Sequence, residues 1–445
     1  GTLDVNDGNL TQAGGTFTTP SGGTTIERNL TRTAGTFTNT GNTITFDATS
    51  GATDNSTVSV GGTLGGTVVI SKGIGVWCNF TVASGTSINL GANPTSTTHM
   101  YISENITNNG TITVDSGTWT VNNTYAAGVN NGAIINNGTI THNGTGWVLN
   151  YTNIINNNGG TITHNGTVWD INKAATLTNN SGGTINYPNG TSITIEGGLT
   201  QSGTFNLTNK TITFDGIIGS TVTASGTLGG TVAIAKTDSG GGGAGITIAT
   251  GTTINLAANP TSTVAMYTSD NFTNNGTIVI PSGTWTINNA YTGSCGPLIN
   301  NGTINHNGDG WTISNVHFTN GSTGVVNYAG TSMTIGGNLI QNGTLNNWSN
   351  KTITITTPYG GDTTLSGSNA IGGNVTVNKS DAAYKVTLGS SVNITGDLTL
   401  TQGTLMMEND LTVGGALSIA SGKTFQLNKT TPTAAVTLTV GKGIV

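Results

Sequence analysis

Carboxylates, imidazoles, indoles and asparagine amides are the side chains in this sequence that could do chemistry, and their spacing decides what kind. Asp47 and Asp215 end equivalent Thr-Ile-Thr-Phe-Asp segments. Glycoside hydrolysis needs two carboxylates within about 10 Å of each other, and these two belong to different copies of a long repeat, many coils apart. No acid recurs beside either, so the sequence assigns no catalytic residue and predicts no enzyme. His142, His164 and His306 occupy one repeat slot beside an Asn-Gly pair. Stacked imidazoles are metal-ligand chemistry, but no Asp, Glu or Cys recurs with them, and a stack at the surface or at a corner is the expected use. Asp4-Val5-Asn6-Asp7-Gly8 has the letters of a calcium loop without its spacing or its distal Glu. The sequence therefore predicts no metal and no cofactor.

Trp119 and Trp285 are repeat equivalents, as are Trp147 and Trp311, with Trp169 closely related. Exposed indoles would make a carbohydrate platform. Here Trp119 alternates in phase with Val121 and Trp285 with Ile287, which predicts a buried face and stacked core aromatics. The chain holds 26 Asn-X-Ser/Thr sequons, among them Asn9, Asn79, Asn109, Asn137, Asn206 and Asn393, and a glycan on some of them is expected of a secreted protein. Much of that number follows from a composition rich in Asn and Thr, since many are the Asn-Asn-Gly-Thr corner itself. Asn108, Asn136, Asn274 and Asn300 have a structural use instead, because amides stacked above one another form hydrogen-bonded ladders. Cys78 and Cys295 stand 217 positions apart. On the coil reading below that is about nine coils, on the order of 40 Å at roughly 4.8 Å per coil. A disulfide needs Cα atoms within about 7 Å, so the two are expected not to bridge within one chain; burial in the core beside Trp77 or Leu298 is expected ahead of pairing between chains.

The element that must position all of these is a repeat, present at two scales. Leu30–Asp47 (LTRTAGTFTNTGNTITFD) matches Leu199–Asp215 (LTQSGTFNLTNKTITFD), and the match continues through TLGGTV, ANPTST, NNGTI, SGTW and INNGTI. A third, degenerating copy opens at Leu339. This sets long repeats at approximately 29–197, 198–337 and 338–445, with 1–28 a partial copy of a single continuous solenoid. At the short scale, GTITHNGTGW at Gly138 is followed by GTITHNGTVW at Gly160, whereas the second copy holds one such segment, at Gly302. The span Ile135–Tyr187 shrinks to Ile299–Tyr328, a loss of 23 positions with both flanks intact. A unit that can be lost whole is one coil.

Inside a coil the pattern alternates, as in Thr111-Ile112-Thr113-Val114 and Ser192-Ile193-Thr194-Ile195. That is the signature of strands with one face buried and one wet. Asn-Gly, Gly-Gly and Ser-Gly separate them, residues that tolerate the left-handed backbone of a corner. Near-identical consecutive coils favour parallel stacking of like over like. The reading is an all-β chain, a right-handed parallel β-helix with two or three strands in each coil of about 23 residues, and about 19 coils in all.

Composition agrees and removes other classes. Of the 445 residues only 7% are charged and 6% aromatic, 70 are Gly, and net charge is −6. Globular domains carry about 25% charge, and disorder pairs low hydrophobicity with high net charge; neither fits. The basic residues are scattered singly, which excludes a nucleic-acid footprint. No stretch approaches the roughly 20 apolar residues of a membrane span, and a chain opening at Gly1 reads as a mature or excised form whose signal peptide has gone.

The phrases GNLTQAGGTF, NKTITFDG, TLGGTVVISKG and ITGDLTLTQGTL resemble the β-strand-repeat surface proteins of bacteria and archaea, and are similar to the passenger regions of autotransporter and filamentous-haemagglutinin-type adhesins. The resemblance covers essentially the whole chain in repeat style and implies a secreted parallel β-helix. Three functions follow in order of expectation. The first is an extracellular structural subunit of a cell-surface filament, stalk or layer, a homo-oligomer stacked head to tail through uncapped ends. The second is an adhesin binding host, cell-surface or carbohydrate ligands. A polysaccharide-active enzyme comes last.

Overall fold

The computed structural model describes residues 1–6, 8–47, 55–72, 78–101, 103–125, 131–237, 244–267, 270–291, 296–358, 361–427 and 436–445. Asp7, Trp77 and Cys295 lie outside them. The described residues are all-β, with parallel strands stacked into a β-solenoid of about 17 turns, about 23 residues apart. That is about two turns fewer than the 19 expected from dividing the whole chain by one coil length, and coils vary: Asn108 lies 28 residues from its neighbour in the next coil, Asn136, which lies 20 from Asn156. No helix occurs among the described residues, so none is long and apolar enough to cross a membrane. The chain forms two compact units, Gly1–Thr213 and Phe214–Val445.

In the first unit three short strands make a coil. Asn105–Asn108, Thr111–Val114 and Thr118–Asn123 are followed by Ala133–Asn136, Thr139–His142 and Gly146–Asn150, then by Asn153–Asn156, Thr161–His164 and Val168–Asn172. Each set pairs in parallel with the next, giving three faces, named here the Asn face, the middle face and the Trp face. The register places like over like: Ile106, Ile134 and Ile154; Ile112, Ile140 and Ile162; Trp119, Trp147 and Trp169. Alternation decides what is inside. Ile112, Ile140 and Ile162 are fully buried, each worth about 1.5–3 kcal/mol relative to exposure, while the Thr residues between them point out.

The second unit repeats the scheme with Phe272–Asn274, Thr277–Ile280 and Thr284–Asn289, then Pro297–Asn300, Thr303–His306 and Gly310–Ser314. Its middle-face inward column runs Ile280, His306, Tyr328, whereas the first unit's runs Val114, His142, His164, Tyr187. The strand register thus counts the missing 23 positions as one rung. Corners are tight enough to need glycine: a Cβ on Gly138 would sit 2.1 Å from the Gly110 carbonyl oxygen, and one on Gly144 only 1.9 Å from that of Gly117.

Candidate functional surface

The described tryptophans are inside. Trp119, Trp147 and Trp169 are fully buried and stack face to face, with centroids 4.9 and 5.3 Å apart and planes 9° and 4° from parallel. Trp285 and Trp311 stack at 5.2 Å. The ladder begins with a satisfied indole in both units: Trp119 Nε1 donates to Ser96 Oγ and Trp285 Nε1 to Ser262 Oγ, each at 3.1 Å.

The three repeat-slot histidines are inside as well, which corrects the expected surface or corner stack. His142, His164 and His306 are fully buried. The reason is phase: in Thr-Ile-Thr-His the imidazole shares the inward face with Ile. His142 lies parallel to Trp147 at 6.0 Å and edge-on to His164 at 4.6 Å. His164 Nε2–H donates to the Val168 carbonyl at 2.8 Å while its Nδ1 accepts from Gly166 N–H at 3.3 Å, a neutral ring. Burial drives His142 down to about 3, helped by neighbouring His164, and takes His306 down to about 4. Among the described residues no three His, Cys, Asp or Glu side chains stand together as a metal set.

The asparagines form a continuous inner chain. Asn108 Nδ2 donates to Asn136 Oδ1, Asn136 to Asn156, Asn156 to Asn179 and Asn179 to Gln201, at 2.8–3.2 Å. Asn274, Asn300, Asn320 and Gln341 do the same in the second unit at 2.8–3.3 Å. Each ladder ends in a glutamine whose amide folds back onto its own coil, Gln201 to Gly203 O and Gln341 to Gly343 O, both at 2.8 Å. A second, outer ladder runs the other way: Asn137, Asn157 and Asn180 each donate to the preceding coil, at 2.8 Å.

Several sequon residues belong to this outer system. Asn137 Nδ2 donates to Asn109 Oδ1, and Asn79 Nδ2 donates to Asn55 Oδ1 while its Oδ1 accepts from Asn105 N–H. Asn9 Oδ1 accepts from Asn29, and Asn206 Oδ1 from Thr208 N–H. Asn393 is exposed on the strand Val392–Ile394. At Asn79 and Asn137 the nitrogen that a glycan would take is the one holding the coils together.

Sequence reasoning missed the lysines. Lys72, Lys236 and Lys379 follow equivalent strands and are buried. Lys72 Nζ donates to the Glu27 and Asp47 carbonyl oxygens, Lys236 to Asp215 O and Ser220 Oγ, and Lys379 to Thr356 O at 2.8 Å. The signal was Val-x-Val/Ile-x-Lys in three copies, masked by the impression of scattered basic residues. Asp47 supplies a backbone oxygen here, and its carboxyl is pushed up by burial and by Glu27, with Lys72 pulling it down. Cys78 is buried.

Outside, the described faces carry threonine columns in register. In the second unit Thr261, Thr286, Thr312, Thr334, Thr354 and Thr376 stand one per coil along the Trp face. Cross-strand Thr pairs contribute roughly 0.2–1 kcal/mol each, so the columns serve cohesion and also present a periodic, uncharged surface. Compared with protein-family models, curated proteins and solved structures, the chain matches none of them.

Proposed function

We propose that this chain is an extracellular structural element, a segment of a cell-surface filament, stalk or layer, of the kind its repeat phrases share with bacterial and archaeal β-strand-repeat surface proteins. The observation that carries this reading is the pair of unbroken amide ladders. They supply coil-to-coil cohesion from neutral groups, in a chain where 7% of residues are charged, so holding the stack together does not depend on charge pairs that salt screens. A load-bearing element outside the cell, at varying ionic strength, has use for that property. The adhesin reading is favoured by a different observation, the periodic threonine surface. No catalytic step belongs to either.

Two measurements test the proposal. Antibody-gold labelling of the source cells should place the chain on extracellular fibres or on the cell surface, and label confined to the cell interior would overturn it. Incubated with acidic and neutral polysaccharides, the purified chain should release no products. Cleavage abolished by replacing a single Asp would make it an enzyme instead.

A further inference from the structure

The middle face of the first unit carries a two-dimensional lattice of hydroxyls. One outward column runs from Thr63 through Ser87, Thr111 and Thr139 to Thr204 without a break in register or a charged residue. Beside it, two residues along each strand, Thr113, Thr141 and Thr163 form a second column flanked by Asn89 and Asn186. Alternation with the buried Ile112, Ile140 and Ile162 points every one of them outward. The Trp face of the second unit holds one such column, Thr286 to Thr376, but the column beside it reads Thr284, Gly310, Ser332, Thr352 and Asn374. The Trp face of the first unit reads Thr120, Val148, Asp170 down one column and Thr118, Gly146, Val168 down the next.

We propose that this face binds the surface of ice. The spacings select the occupant: about 4.8 Å between coils and roughly 6.6 Å between alternate residues of a strand. Tetrahedral hydrogen bonding with oxygens about 2.8 Å apart makes the oxygens of an ice prism face repeat at roughly 4.5 and 7.4 Å, within about an ångström of both strand spacings, so threonines on one lattice can engage successive waters of the other. Each side chain brings a hydroxyl that replaces a lattice hydrogen bond and a methyl that orders the water beside it. A rigid array has already lost its rotamer freedom by packing in columns, which lowers the ordering cost of binding. An uncharged face also avoids stripping water from ions. The proposal goes beyond the structural role above and does not rest on it.

Nanolitre osmometry with ice-crystal microscopy on the purified chain decides the matter. The expected result is faceted crystals and a gap between melting and freezing temperatures. Thr141→Tyr places a bulky but strand-compatible side chain in the middle of the lattice and should remove most of that gap while leaving the circular dichroism spectrum unchanged. Val148→Tyr, equally strand-compatible and outward on the Trp face of the same unit, should keep it. Unshaped discs with no gap from the wild-type chain would overturn the proposal. So would equal loss in both variants, or retention on crystalline chitin or cellulose without any effect on ice, which would assign the face to a polysaccharide.

Discussion

His142 is packed against Trp147 and His164, and that enclosure makes its proton the most pH-sensitive element of the coil. Its folded pKa is about 3 and that of His306 about 4, both depressed by burial from an unfolded value near 6.5. Below 6.5 the unfolded chain takes up protons that the folded chain refuses, so stability falls with pH until the folded pKa is reached. At about 1.4 kcal/mol per unit, each of these residues removes on the order of 3–5 kcal/mol over that window. Thermal melts should therefore drop from neutral pH to about pH 4.5, and His142→Val, the residue type that Val114 places one rung earlier, should shrink the drop. A melting temperature flat over this range would show that the rings are hydrated. Lys379 acts at the other end: burial lowers it to about 8 from 10.5, so its penalty is full below 8 and is relieved as pH climbs towards 10.5. Both residues were visible in the sequence by phase, His142 two places after Ile140 and Lys379 two after Val377. Polarity argued for the outside, and a hydrogen-bonded or ring-stacked interior argued more strongly.

At the scale of the element, the inner and outer amide ladders are chemically alike and energetically unlike. Asn156 is fully buried, donates to Asn179 Oδ1, Thr184 O and Gly160 O, and accepts from Asn136. Asn156→Ala orphans those partners and should cost about 2–4 kcal/mol. Asn156→Asp, of the same shape, loses both N–H donors that serve these three acceptors and sets a carboxylate against Asn179 Oδ1, so it should cost more. Asn137 is exposed and its replacement by Ala should cost about 0.5 kcal/mol. Urea midpoints order the three variants, and equal losses at Asn137 and Asn156 would sink the distinction. Parallel stacking, strand alternation, the tryptophan columns and the first rungs of each ladder were legible because identical letters recur at identical slots. Asn156, Asn179 and the terminal Gln201 were not, since the ladder passes through Ile-Ile-Asn, Leu-Thr-Asn and Leu-Thr-Gln segments that share geometry but few letters.

Within the first unit, the solenoid behaves as a stack whose parts can be removed in whole rungs. His142 and His164 are paired in register and are followed by the same Asn-Gly-Thr corner and the same Trp. Deleting residues 143–164 joins His142 to Asn165 and brings Trp169 beneath Trp119. The shortened chain should keep its β spectrum and cooperative unfolding, while removal of about half a coil puts buried side chains on the wet face and should leave it unfolded or aggregated. Stable folding of both deletions would argue against coil-by-coil stacking. The second unit already lacks one such rung, which is why the sequence could measure a coil before any strand was placed.

Coil length itself has a mechanical meaning. Successive rungs of the inner ladder lie 28, 20, 23 and 22 residues apart, yet each rung is cross-linked to the next by the same kinds of bonds. Under axial tension these junctions rupture at similar forces but release different amounts of slack, roughly 70 Å of contour for the shortest coil and 95 Å for the longest. A force–extension trace of this unit would then be a bar code, its uneven steps spelling out the order of the coils. In a taut fibre the same unevenness lets each coil yield as a separate fuse, dissipating work while its neighbours stay wound.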